Sequence, residues 1–363
     1  MNYEDFLVPA KPIAVEKWQL GASLKDSLMA SGVALVFVSD YRGAGRDAFP
    51  LNFSVLRKEL FSLAELEFPI PIADMGDLVS GRSQEDTIYI LQELLSACHY
   101  NNTIPLVIGG SNDLSFTLYS ALNFHQKQVS YTQVSNKISL KSSENVLDET
   151  NFLSKIFSSK QFSIENYAHL GYQKHLNSKE SIDLIRQVEF DSVRLAELMN
   201  SPEVVEPYTR FSDLVTIDAD AIESCSQAFS IHPQINGLSR REVCSVMKQI
   251  GMSESLKSMG LFNLEIENQT QLNFQLMAQM IWYFLEGVSI RKSHPQEKQF
   301  ETYWVMAQEG EYAFHRELFS NLWYFGNEKE IEKNLPCLIS DYEKAKRGEW
   351  STRLERHRKK QVS

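Results

Sequence analysis

Apolar and polar positions alternate along this chain in two kinds of run. Continuous, β-rich apolar stretches at 32–38 (GVALVFV) and 104–108 predict strands buried on both faces. Shorter stretches predict strands at 71–74, 167–171 and 214–218, with one more inside 256–265. Residues 129–140 also read as strand. Between them, apolar residues spaced three and four apart predict helices at 52–66, 83–99, 115–123, 240–250 and 271–287. Ser83, with Asp86 three residues on, reads as an N-cap, and Ser239 caps the helix that starts at Arg240. Repeated β-then-α units imply an α/β fold: a three-layer α/β/α domain with a doubly wound, mainly parallel sheet over residues 1–292. Ligands in such folds bind beyond the carboxyl ends of the strands. Asp40, Asp77, Asn112, Asp218 and Glu265 fall there.

The pattern changes beyond residue 293. Trp304, Trp323, Tyr324 and Phe325 are followed by Leu335-Pro336-Cys337 and then by a basic helical segment from Asp341 to Lys360. Residues 293–363 are therefore expected to form a C-terminal helical extension packed on the domain through its aromatics. Arg353, Arg356, Arg358, Lys359 and Lys360 read as a solvated helix end whose charge complements the helix dipole. Docking of an unknown protein partner is the alternative reading of that end.

Composition narrows the class. Of 363 residues, 43% are hydrophobic and 23% charged, which suits an ordinary globular chain with a sizeable core. The net charge of −11 argues against nucleic acid as a partner. No apolar run is long enough to span a bilayer, so no membrane role is expected. The acidic N-terminus shows no secretory signal, and the four cysteines are widely spaced, so reduced thiols in the cytoplasm are expected.

The candidate chemistry centres on Val215-Thr216-Ile217-Asp218-Ala219-Asp220. Side chains two apart on a strand share a side, so Asp218 and Asp220 project together from its end, as a hard divalent cation requires. Other motifs carry less. Gly43-Ala44-Gly45 lacks the third glycine of a dinucleotide loop, since position 48 is alanine. Gly109-Gly110-Ser111 is not a nucleophile elbow. The charged group Asp40, Arg42, Arg46 and Asp47 reads as mutually paired. His125, His169, His175 and His232 read as surface or satisfied structural residues.

In order, these segments resemble the arginase/agmatinase/formimidoylglutamase family of manganese ureohydrolases, over about residues 30–290. Asp74-Met75-Gly76-Asp77 resembles that family's Asp-x-Gly-Asp segment. Leu106-Val107-Ile108-Gly109-Gly110 resembles the strand before its Gly-Gly-x-His-Ser motif. Thr216-Ile217-Asp218-Ala219-Asp220 resembles its Ser-x-Asp-x-Asp motif, Gly237-Leu238-Ser239 its following helix start, and Leu264-Glu265-Ile266-Glu267 its late strand with a buried Glu. Leu170-Gly171-Tyr172-Gln173-Lys174-His175 is most similar to the formimidoylglutamase branch.

The resemblance implies two Mn²⁺ ions, six protein ligands and a bridging hydroxide that attacks a guanidinium or formimino carbon. Carried over residue by residue, the histidine of the Gly-Gly-x-His motif falls on Asn112. The Asp-x-His-x-Asp motif falls on Ser135, Lys137 and Ser139. Asp218 and Asp220 remain as vestigial metal positions, with Glu223 three residues later. Such a set supplies too little negative charge for two dications, so no cofactor and no catalytic residue are expected. Residues 135, 137 and 139 are expected on one strand face, with the Lys137 ammonium either lying between Asp218 and Asp220 as counter-charge or exposed at the strand end. The expected function is a catalytically degenerate ureohydrolase fold with a structural, scaffolding or ligand-sensing role. The alternative is an active hydrolase of linear amidines with a rebuilt site, using one metal on Asp218, Asp220 and Glu223, or none. A homo-oligomer is possible, since the fold's relatives often form them.

Overall fold

The structure is a computed structural model that describes residues 3–25, 27–48, 50–142, 146–161, 163–307 and 310–362. The main sheet contains β1 (Leu7–Val8), β2 (Val33–Val38), β3 (Ile72–Leu78), β4 (Ile104–Ile108), β5 (Val129–Val134), β6 (Ile164–Tyr172), β7 (Asp191–Arg194), β8 (Leu214–Asp218) and β9 (Ser258–Phe262). Their spatial order is β1-β3-β2-β4-β9-β8-β5-β6-β7. Only the β1–β3 pair is antiparallel. β2, β4, β5, β8 and β9 are buried along their whole length, which explains why β2 and β4 read as continuous apolar runs.

Two hydrophobic cores lie on opposite faces of this sheet. One is filled from α1 (Ser54–Phe61), α6 (Leu195–Asn200), α8 (Arg240–Met252) and α9 (Gln271–Ile290). The other is filled from α2 (Gln84–Tyr100), α3 (Leu114–His125), α4 (Phe152–Ser158) and α5 (Lys179–Gln187). This is the three-layer, mainly parallel α/β architecture read from the sequence. The caps at Ser83 and Ser239 are both full capping boxes, closed by Asp86 and Glu242. The strand read at 129–140 ends at Val134 instead. Beyond it, bonds to and from side chains replace the ladder: Asn136 Nδ2 donates to the Asp220 carbonyl, and the Ile138 amide donates to Asn177 Oδ1.

The helical segment expected from Asp341 to Lys360 is divided into two helices, α10 (Ile339–Ala345) and α11 (Thr352–Val362). Ahead of them lies an antiparallel sheet absent from the sequence reading, ordered β10 (Phe300–Ala307), β11 (Gly310–Glu317), β12 (Trp323–Phe325) and β13 (Leu335–Cys337). Phe314, Trp323 and Phe325 on this sheet pack with Tyr342, Trp350 and Leu354 of the helical part. Arg210, just after α7 (Glu206–Thr209), joins it to that helix. Its guanidinium stacks on Tyr324 with Cζ 4.4 Å from the ring centre, donates to the Trp323 carbonyl at 2.7 Å and pairs with Glu206 at 2.6 Å. Lys359 of the basic helix end is exposed as read and the Lys360 side chain lies outside the described residues, but the three arginines are not solvated. Arg356 and Arg353 pair with Asp191 of β7 at 2.5 and 3.3 Å, and Arg358 lies over Tyr312 and Trp350. The buried Asp191 carboxylate needs that counter-charge more than the helix end needs water.

Candidate functional site

Four strands adjacent in the sheet, β4, β9, β8 and β5, each deliver one polar residue to the same point beyond their carboxyl ends. Gly109 and Gly110 take left-handed φ values of +86° and +77°, so the chain turns sharply off β4 and brings Asn112 back over the sheet. Asn263 follows β9 with φ of +58°, a conformation that asparagine tolerates better than most side chains. Asp218 closes β8, and Ser135 follows β5. All four are buried.

Asp218 is the hub. Its Oδ2 accepts hydrogen bonds from Asn112 Nδ2 at 3.1 Å and Ser135 Oγ at 2.9 Å. Its Oδ1 accepts from Asn263 Nδ2 at 3.1 Å and from the Asp220 backbone amide at 3.0 Å. Asn263 Nδ2 also donates to Glu149 Oε2 at 3.2 Å, and Asn263 Oδ1 accepts from the Asn112 amide. Glu149 arrives on the loop after β5 and is held there by two contacts: its amide donates to the Gly43 carbonyl, and its own carbonyl accepts from Ser139 Oγ. His232 Nε2 lies 2.9 Å from Glu149 Oε1, an ion pair when the imidazole is protonated.

The electrostatics follow from burial. Both carboxyls of the Asp218–Asp220 pair are raised above the ordinary carboxylate range. Desolvation is the main cause, and the Glu149 charge adds to it for both. Asp220 is raised further, because it also faces Asp218 and its Oδ1 has no hydrogen-bond partner. Of the two carboxyls, Asp220 is therefore the one that its surroundings push more strongly toward the protonated form.

Several expected neighbours lie elsewhere. Lys137 is exposed on the loop after β5 rather than on a strand face. Among the described residues it forms no ion pair with Asp218 or Asp220, although its charge slightly favours ionised Asp220. Of the two positions read for Lys137, the exposed one just past the strand end is therefore found, and neutral amide and hydroxyl donors rather than its ammonium hold Asp218. Ser139 points to the loop backbone, not to the carboxylates. Glu265 pairs with Arg46 at 3.1 Å and caps the amide of Glu267. Glu223 meets the Cys225 thiol. Asp40 pairs with Arg42, as expected, while Arg46 reaches across to Glu265. Asp74 and Asp77 both grip Arg57 at 2.7 Å. His169 is structural, with its ring nitrogens 2.8 Å from the Tyr167 hydroxyl and 3.0 Å from the Ser135 carbonyl.

Sequence reasoning missed Asn263 and Glu149, and it named His232 only as a surface or satisfied structural residue. Asn263 had a usable signal, since it directly follows a buried strand. Glu149 and His232 sit in loops with no periodicity to mark them. Among the described residues, no group of three or more His, Cys, Asp or Glu side chains is arranged to hold a metal ion.

Comparison with known proteins agrees with this architecture. No curated protein matches the sequence. The Mn²⁺-bound formiminoglutamase of Trypanosoma cruzi is similar at a TM-score of 0.67 and 16% identity, covering 75% of this chain and 99% of that one. Formimidoylglutamase from Bacillus subtilis gives 0.63 and 15%, over 74% and 90% of the two chains. The agmatine ureohydrolase of Thermoplasma volcanium gives 0.62 and 14%, over 76% and 96%. At such identities these likenesses concern the fold. The family model is the stronger finding, because the arginase family matches residues 54–285, well over half of the sequence. With that match, and with the strand order and site position described above, the chain belongs to the arginase family.

Proposed function

We propose that this member of the arginase family does not carry a dinuclear manganese centre and does not act as a ureohydrolase. Its closed polar site instead serves a structural, scaffolding or ligand-sensing role. The observation that carries this reading is the saturation of Asp218. Both of its oxygens accept from neutral protein donors: Asn112, Ser135, Asn263 and the Asp220 amide. A dication needs lone pairs aimed at it, and two dications need several anionic or imidazole ligands to offset dehydration. Here the flanking amide groups present N–H, and the second carboxyl favours a proton. The donor set does not fit a pair of Mn²⁺ ions.

The test is metal analysis of the purified protein after incubation with Mn²⁺, alongside assays for urea release from arginine and agmatine and for hydrolysis of formimidoylglutamate. Absence of both bound metal and turnover supports the reading. Two ions per chain with turnover would overturn it and establish the alternative, an active hydrolase of linear amidines; one ion per chain with turnover would point to a rebuilt single-metal site. Thermal-shift measurements with guanidino and formimino compounds then separate sensing from scaffolding, since only a sensor gains stability from a ligand. A cytoplasmic location belongs to the same reading. It is supported by four unpaired cysteines, three of them buried. Cell fractionation tests it. Among the described residues, no helix is long and apolar enough to cross a membrane.

A further inference from the structure

Helices α8 and α9 pack against each other, with their backbones in contact near the C-terminal ends. At Gly251 an added Cβ would stand 2.2 Å from the Phe284 carbonyl oxygen and 3.0 Å from Gly287 Cα, so the two backbones are in contact there. Toward their N-termini the helices border a groove of about 520 Å³. Leu272, Leu276 and Tyr283 supply its apolar surface, and Leu272 is 64% exposed. Gln275 and Gln279 offer amides along one wall.

The charge in this groove is opposite to that of the molecule. Its lining contains Arg240, Arg241 and Lys248 and no carboxylate, on a chain of net charge −11. Lys248 is paired with Glu286 at 3.0 Å. Arg240 and Arg241 are exposed and have no ion-pair or hydrogen-bond partner among the described residues. Both stand in the first turn of α8, where the helix dipole is already positive and basic side chains are locally unfavourable. The α9 N-terminus opens on the same end of the groove. An isolated fold gains nothing from two unpaired arginines in that position, whereas a bound carboxylate would relieve both charges.

We propose that the α8–α9 groove docks an acidic, amphipathic peptide segment of a partner protein. Apolar side chains at helical spacing enter between Leu272, Leu276 and Tyr283, and flanking Asp or Glu residues meet Arg240 and Arg241. The same charge balance disfavours nucleic acid. Two free cations neutralise few phosphates, and the acidic remainder of the surface repels a long polyanion. The proposal stands whether or not the Asp218 pocket binds metal.

The test uses the full chain and a fluorescein-labelled helical peptide with leucines three and four apart and glutamates between them. Its controls are the same peptide with lysine replacing every glutamate and a single-stranded oligonucleotide. Fluorescence anisotropy should show saturable binding of the acidic peptide, weakened by salt because exposed charges are screened. Arg240→Glu/Arg241→Glu should weaken it roughly tenfold or more, and Leu272→Asp should weaken it independently. All three positions are exposed, so unchanged melting curves confirm that the variants fold. Equal binding of acidic and basic peptides, no binding of either, or tighter binding of the oligonucleotide would overturn the proposal. So would a self-associated species in sedimentation that the double arginine variant dissolves, because the groove would then hold a second copy of this chain.

Discussion

Replacing Asn263 tests the account of the buried site most directly. Asn263→Gly keeps the left-handed backbone and deletes only the side chain, so no strain is added at φ of +58°. It removes the Nδ2 donations to Asp218 Oδ1 and Glu149 Oε2, at 3.1 and 3.2 Å, and the acceptor for the Asn112 amide. Hydrogen bonds to charged acceptors contribute about 1.5–3 kcal/mol each. Two such bonds, partly replaced by water entering the gap, put the cost at about 3–4 kcal/mol. Asn263→Asp is the sharper variant. It is nearly isosteric but sets a third carboxylate against two, so its pKa must rise on folding. The folded variant then binds more protons than the unfolded chain, and its stability falls as pH rises. Its deficit relative to the parent should be largest near pH 8 and shrink toward pH 5. Urea unfolding followed by tryptophan fluorescence, in the presence of a chelator, measures both. A cost for Asn263→Gly below about 1 kcal/mol, or Asn263→Asp as stable as the parent at pH 8, would refute the view that neutral donors hold this carboxylate. Stabilisation of the parent by added Mn²⁺ would refute it as well.

Three further outcomes are expected. Asp220, raised to about 9 mainly by burial and then by Asp218, keeps a proton in the folded state that the unfolded chain loses above about pH 4. Parent stability should therefore decline as pH rises across that window, while Asp220→Asn should melt higher at pH 8 and with a flatter pH profile; identical profiles would contradict this. Arg57→Met should cost about 3–5 kcal/mol in urea unfolding, because Asp74 loses its partner at 11% side-chain exposure. Adding Asp74→Asn should recover part of the loss, and failure to do so would mean that packing rather than charge sets the cost. Arg210→Met should loosen the C-terminal sheet from α7, detectable as faster proteolysis within residues 300–337 at unchanged cleavage elsewhere.

Much of the fold could be read directly from the residues because the relevant forces are local or follow a fixed period. The buried runs of β4 and β8 match their strands residue for residue, and Ser83 and Ser239 mark their helix starts through side-chain bonds that need no tertiary partner. The C-terminal sheet was missed because β10 mixes aromatic, aliphatic and polar positions on both faces, which blurs a two-residue period. Ser135 to Ser139 imitate that period by chance while their side chains bond across loops. At the site, Asn112, Ser135 and Asp218 were named in advance. That Asn112 and Ser135 donate to Asp218, and that Asn263 joins them, was not, since the donors come from strands far apart in sequence, and Lys137 offered a simpler electrostatic answer than an amide following β9.

The strand order has a consequence for the nascent chain. β9, residues 258–262, lies between β4 and β8, near the middle of the finished sheet. A ribosome that has released the first two hundred and fifty or so residues has therefore supplied two incomplete half-sheets, each ending in a strand that is fully buried in the finished fold and has an open hydrogen-bonding edge. Those edges are adhesive until β9 emerges to bridge them. Translational pausing or truncation shortly before that segment should thus favour aggregation and holdase capture far more than a stop placed just after it.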